Sequence, residues 1–240
     1  MSVKVISEHI SSVGSWMGVS VHVWIVAGED GVTLVDTGMF WMAGPILKEI
    51  ERTGKGPLRR IVLTHAHSDH VGGLKRILKK YNVPVYMHAA EIPYAEGDLP
   101  YPGKTKAFKY VEKGILQPLD ERLSGVLSPI GGLEPHLTPG HSPGHVVYYH
   151  AADRVLLAGD LFNAKKGRLQ QPRFTPDPEL ALKSGSIVRR LDPERVEVCH
   201  GGTVYRPAGQ MDDLEIEDAA RKLAAERERN RKAKKKKGKA

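Results

Sequence analysis

Apolar positions along the chain fall mostly in short runs or alternations, the pattern of strands more than of long helices. Val21-His22-Val23-Trp24-Ile25-Val26 and Val32-Thr33-Leu34-Val35 are β-rich runs on either side of Gly28-Glu29-Asp30-Gly31, a hairpin-type connection. Residues 43–52 switch to helical spacing, with Ile46, Leu47 and Ile50 on one face. Arg60-Ile61-Val62-Leu63 predicts a short strand, Leu74, Ile77 and Leu78 a helix, and Val83 to Met87 another strand. The stretch from Ala89 to Gly114 is irregular, interrupted by Pro93, Gly97, Pro100, Pro102 and Gly103. Strand patterns return over 126–138, 146–150 and 154–158, followed by a helix over 178–191, a strand at Val196 to Val198 and a helix over 211–226. Two runs of strands, each with helices, predict a layered α/β domain in which two sheets pack between helices.

Composition adds little until charge is located. The 240 residues are 40% hydrophobic and 27% charged, ordinary for a globular chain. No apolar run approaches the ~20 residues a membrane helix needs, which argues against a membrane partner. The N-terminus lacks the basic start and apolar stretch of a secretory signal. The default compartment is the cytoplasm. Cys199, the one cysteine, excludes an internal disulfide and suits reducing conditions. The net charge is +8, yet residues 221–240 hold 11 Lys/Arg against 2 Glu, leaving 25 basic and 26 acidic residues elsewhere. The chain is therefore divided into a 1–220 domain and a 221–240 basic tail, expected to be disordered because it has almost nothing apolar to bury. A near-neutral body argues against nucleic acid as its partner and leaves only the tail for such a contact.

The candidate chemistry lies at strand ends. Thr64-His65-Ala66-His67-Ser68-Asp69-His70 puts four potential metal donors in six residues directly after an apolar strand. Imidazole with carboxylate suits zinc and its first-row neighbours. His141 stands in a Gly/Pro loop before a strand, and Asp160 and His200 each follow an apolar strand, as Asp36 does. A scaffold commonly presents functional loop residues in such places.

The ordered set Asp36, His65-x-His67-x-Asp69-His70, His141, Asp160 and His200 resembles the five motifs of the metallo-β-lactamase superfamily over residues 36–200. The resemblance implies a four-layer αββα sandwich holding two divalent metal ions at one edge between the sheets. His65, His67 and His141 would then bind the first metal, Asp69, His70 and His200 the second, and Asp160 both. Asp36 would support the site without being a ligand. Paired cations can share a hydroxide formed from a bound water. Asp69 would orient it, so Asp69 and Asp160 are the catalytic candidates. Zinc is the first choice, with iron and manganese compatible with the same donors.

The implied activity is hydrolysis of an ester, lactone, thioester or amide bond in a small molecule. Gly159-Asp160-Leu161-Phe162 is similar to the bridging segment of glyoxalase II-type thioester hydrolases. The lactonase branch often carries tyrosine three residues after that aspartate, where this chain has Asn163; its amide offers a donor for a substrate oxygen. Two other activities of the superfamily compete: a nuclease or phosphodiesterase, and an iron-dependent oxidoreductase or persulfide dioxygenase.

Other residues have quieter expectations. His145 is read as supporting the site, and His9, His22, His88, His136 and His150 as surface or locally hydrogen-bonded. Cys199, adjacent to His200, is expected to alternate away from it as a buried, inert thiol. Gly72 and Gly73 serve a tight loop-to-helix passage. Trp16, Met17, Tyr94, Tyr101 and Pro102 are read as the pocket rim; equally, those aromatics would pack their loop down or join two copies in a homodimer.

Overall fold

A computed structural model of the chain describes residues 1–172 and 174–237. The first sheet has seven strands in chain order: β1 (Ser2–Val5), β2 (Ile10–Trp16), β3 (Ser20–Gly28), β4 (Gly31–Val35), β5 (Leu58–Val62), β6 (Val85–Met87) and β7 (Leu116–Pro118). β1 to β4 pair antiparallel, and from β4 onward the pairing is parallel. Parallel neighbours need crossovers. These are supplied by α1 (Ala43–Thr53) before β5, by α2 (Ser68–Val71) and α3 (Leu74–Leu78) before β6, and by the short α4 (Ile92–Ala95) before β7.

The second sheet opens with β8 (Glu134–Leu137), β9 (Val146–His150) and β10 (Val155–Leu157). A small hairpin, β11 (Asn163–Lys165) and β12 (Arg168–Gln170), then leads to α5 (Pro178–Gly185) and α6 (Ile187–Leu191). β13 (Arg195–Glu197) returns parallel to β10, and β14 (Val204–Tyr205) completes the order β14-β13-β10-β9-β8. α7 (Met211–Lys237) follows.

Period-two alternation explains why this sheet lies between two layers. Val146, Tyr148, Val155 and Leu157 join the core that also contains Val23, Leu34, Ile61 and the α1 residues Ile46 and Ile50. Their neighbours Val147, Tyr149, Leu156 and Ala158 face the other way, against Ile187, Val188, Met211 and Leu214. Helix, sheet, sheet, helix is the four-layer αββα order the resemblance implied.

The topology also sets where loops can meet. β4 and β5 are parallel, as are β10 and β13, so their carboxyl ends share one edge of the sandwich. β9 runs antiparallel to β10, which brings its amino end to that same edge. The seam is closed there by Val146 N–H donating to the carbonyl of Thr64 at 2.9 Å.

Three expected elements take a different form, and β1, β2, β7, β11, β12 and β14 are strands the pattern does not predict. The strand expected over 126–138 contracts to β8, and the residues before it are tied by isolated bridges, Glu121 with Leu127 and Ile130 with Leu133. The helix expected over 178–191 is two helices that meet at Ser186. α7 does not stop near 226 but continues to Lys237, through much of the expected disordered tail; residues 238–240 lie outside the described residues. Its anchors are early: Met211, Leu214 and Asp218 are buried, Arg189 pairs with Asp212 and Glu215, and Lys222 bonds Asp218 and Glu179. No helix among the described residues is long and apolar enough to cross a membrane.

Candidate metal centre

Asp36, the His65–His70 loop, His141, Asp160 and His200 converge on the shared edge. Asp36 ends β4 in the left-handed region, at φ 60°. Strain at such a position persists only where the surroundings hold it. Here the carboxylate accepts from Thr64 N–H and Thr64 Oγ1, both at 2.8 Å, and from His70 Nδ1 at 2.7 Å. Gly159, at φ +50°, turns the chain sharply before Asp160, where a Cβ would come within 2.9 Å of both His145 and Thr64.

Three ring nitrogens face each other in the first group. His65 Nε2 is 2.9 Å from His67 Nδ1, and His141 Nε2 lies 3.2 Å from the former and 3.1 Å from the latter. An imidazole nitrogen either donates or accepts. Among three that all face one another, at least one pair must therefore be donor against donor or lone pair against lone pair. A cation at their centre satisfies all three lone pairs at once, so this donor set fits a metal better than any pattern of protons.

Carboxylates enter the second group. His200 Nε2 is 3.1 Å from Asp69 Oδ2 and 3.2 Å from Asp160 Oδ2, and His70 Nε2 is 3.4 Å from Asp160 Oδ1. Asp160 also reaches His141 Nε2 at 3.4 Å, so it touches both groups. His70 Nε2 and Asp160 Oδ1 are buried without any hydrogen-bond partner, orphaned atoms that a cation would satisfy. The opposite ring nitrogens are engaged outward: His70 Nδ1–H donates to Asp36, and His200 Nδ1–H to the carbonyl of Ser20 at 2.7 Å. Such bonds fix the tautomer whose lone pair faces inward.

Electrostatics separates the two groups. Burial holds His65 well below the usual histidine range, takes His67 down to about 4 and lowers His141, so these rings are neutral at pH 7. In the second group, burial opposes charge on His70, but Cys199, Asp36 and Asp160 outweigh it and push the ring well above its usual range. His200 is likewise desolvated, yet hydrogen bonds to Asp160 and Asp69 raise it to about 11. Burial would raise Asp69 and Asp160; the neighbouring His70 and His200 instead hold Asp69 at about 2 and Asp160 well below its usual range. The ionised carboxylates make this group one that attracts positive charge, which a bound cation would provide.

His145 lies behind the site as expected. Its Nδ1–H donates to Thr138 Oγ1 at 2.9 Å, and its Nε2 accepts the backbone N–H of Asp160 at 3.1 Å. His22 donates to the carbonyl of Cys199 at 3.1 Å, and His9 to Asp153 at 2.8 Å, both local bonds. Cys199 is buried, but it does not alternate away from His200. β13 ends at Glu197, so period two no longer applies, and Sγ lies within 4.8 Å of donor atoms of Asp69, His70 and His200.

The pocket rim is only partly as expected. A cavity of ≈ 380 Å³ beside Ser68 and Asp69 is walled by Ser15, Met17, Val19, Val21, Met39 and Trp41. Met39 and Trp41 were not legible as lining: they follow Gly38 in a short turn with no periodic signal. Trp16 is 75% exposed and outside this wall, whereas Tyr101 is buried, stacked on Tyr94 and tilted against the His67 ring. That aromatic loop packs down rather than forming an open rim. Asn163 begins β11, and its amide oxygen is buried without a partner. A larger cleft, ≈ 500 Å³, between Leu74, Leu78, Val111 and Ile115 has no candidate metal donor in its wall.

Comparison with known proteins agrees with this geometry. A model of the metallo-beta-lactamase superfamily matches residues 16–200. The probable metallo-hydrolase YybB of Bacillus subtilis (strain 168) is 38% identical over 207 residues, covering 84% of this chain and 91% of the relative. A hydroxyacylglutathione hydrolase of Enterobacter sp. (strain 638) is 31% identical over 181 residues, 74% of this chain and 60% of that protein. The crystal structure of TTHA1623 in a di-iron-bound form superposes with a TM-score of 0.64 at 26% identity, covering 88% of this chain and 98% of the other.

Proposed function

The chain belongs to the metallo-β-lactamase superfamily, and from that premise we propose that it is a dinuclear metal-dependent hydrolase of a small molecule carrying an ester-like bond. The observation that carries the reading is the position of Asp160 between two sets of inward-facing donors. His65, His67 and His141 would hold one divalent cation, and Asp69, His70 and His200 another, with Asp160 serving both. Zinc suits these donors best, while the di-iron form of a similar structure keeps iron as the alternative.

Bound cations of this kind supply an acidified water and a Lewis acid for the substrate's carbonyl oxygen. The chain's own residues do the rest. Asp69 borders the cavity, so its carboxylate would accept a hydrogen bond from the attacking water and aim it. Trp41, Met39, Met17, Val19 and Val21 offer an apolar wall that would seat an acyl group and keep bulk water from it. Trp41 is itself steadied by its Nε1–H bond to Ser15 Oγ at 3.2 Å. Asn163 would turn its amide N–H toward a substrate oxygen.

An acyl thioester heads the substrate panel, because one relative is named hydroxyacylglutathione hydrolase. The test is metal quantification on anaerobically purified protein, then assay against ester, lactone, thioester, amide and phosphodiester substrates. Two metals per chain with carbonyl-ester or thioester turnover is the expected result. One iron per chain with oxygen consumption, or phosphodiester cleavage alone, would overturn it.

A further inference from the structure

Glu91 is fully buried in the irregular stretch after β6, outside every motif of the resemblance. Four neutral donors meet its carboxylate. Oε1 accepts from Ala66 N–H at 3.3 Å and Tyr101 Oη at 2.5 Å; Oε2 accepts from Ser142 Oγ at 2.9 Å and Gly144 N–H at 2.7 Å. Ala66 stands between His65 and His67, and Ser142 directly follows His141. One side chain therefore fastens the loop that leaves β5 in the first sheet to the loop that enters β9 in the second. The fit is close on both sides: a Cβ on Gly144 would lie 2.5 Å from the Glu91 nitrogen. Tyr101, tied by its hydroxyl, lays its ring 4.9 Å from that of His67.

We propose that Glu91 is the positioning residue of the three-histidine group, setting the gap between His65, His67 and His141 and, through Tyr101, the orientation of the His67 ring. The inference rests on the proposed reading of those histidines as metal donors. A carboxylate has about four acceptor sites, matching the four donors that surround it. Glutamine keeps the volume but turns an NH2 toward at least one backbone N–H, so one bond is lost and one contact becomes repulsive. Outer partners of metal donors typically contribute roughly 10–100-fold to metal affinity.

The test compares full-length wild type with Glu91→Gln and Tyr101→Phe by cobalt(II) titration against a chelator, the cobalt d–d spectrum, and far-UV circular dichroism. Glu49→Gln serves as a control, because Glu49 is buried and bonds Arg52 rather than any group that could hold a metal. Glu91→Gln is expected to stay folded, to lose roughly tenfold or more in cobalt affinity and to shift the d–d bands. Tyr101→Phe should lose less, and Glu49→Gln should melt lower with affinity unchanged. A folded Glu91→Gln protein with wild-type affinity and spectrum overturns the inference. Should Glu91→Gln fail to fold, Tyr101→Phe and Ser142→Ala carry the test, and unchanged affinity in both overturns it. A wild type that takes up no cobalt instead removes the metal reading itself.

Discussion

The backbone N–H of Asp160 donates to Nε2 of His145 at 3.1 Å, so a histidine outside the proposed donor set fixes the residue at its centre. His145 is completely buried and held on its other side by Thr138. His145→Ala strands a buried N–H, which costs about 1–3 kcal/mol, and frees the Asp160 segment to shift. The expected outcome is a lower Tm in the metal-free protein together with reduced metal per chain by elemental analysis. Wild-type metal content in a folded His145→Ala protein would show that the bond supports the fold alone.

Asp160→Ala removes the one carboxylate that touches both groups. Turnover should vanish and metal content fall, while circular dichroism stays close to wild type because the change lies in a loop at the sheet edge. Wild-type turnover in that variant would eliminate the role proposed for Asp160.

Trp41→Ala opens the apolar wall beside Asp69. Burial of acyl methylenes in such a wall is worth about 0.8 kcal/mol each, so the loss should grow with acyl length. Across a series of acyl substrates, kcat/KM is expected to fall mainly through KM, by roughly tenfold for the longer chains. A uniform drop in kcat at every length would assign Trp41 to the fold of the turn instead.

The Asp153 cluster predicts a separate pH dependence. Burial would raise its pKa, but bonds from Ser7 Oγ, His9 N–H and His9 Nδ1–H hold it below the ordinary value of 3.8. A depressed carboxylate stabilises the folded state above the unfolded-state pKa and loses that effect as pH falls through the folded value. The difference in Tm between wild type and Asp153→Asn should therefore be full near neutrality and shrink below about pH 3.8. A difference that persists unchanged at pH 2 would mean that charge is not the cause.

Much of the candidate site was legible because its proposed donors are rare residues next to apolar strands. His65, His67, Asp69 and His70 lie in one loop, and His141, Asp160 and His200 each adjoin a strand that the pattern predicts. What stayed hidden was carried by common residues in irregular segments. Glu91 looks like any surface glutamate until four donors surround it, and Met39 and Trp41 follow a turn without periodicity. β1 alternates as Ser-Val-Lys-Val, but over only four residues, and the structure leaves all four exposed, so the alternation there does not mark a buried face. Cys199 departs from period two because it lies two residues beyond Glu197, the end of β13. α7 extends further than its burial supports, since beyond Asp218 the described side chains are exposed as far as 229.

The hydrogen bond from Val146 to Thr64 joins two portions of chain that each carry an incomplete share of the proposed donors. His65 and His67 wait for His141; Asp69 and His70 wait for His200. Neither portion alone could close a coordination sphere, so ion uptake would report that the sandwich has been assembled rather than that either sheet has formed. An ion held there would act as a rivet across the interior, and its withdrawal would remove one tie between the two sheets.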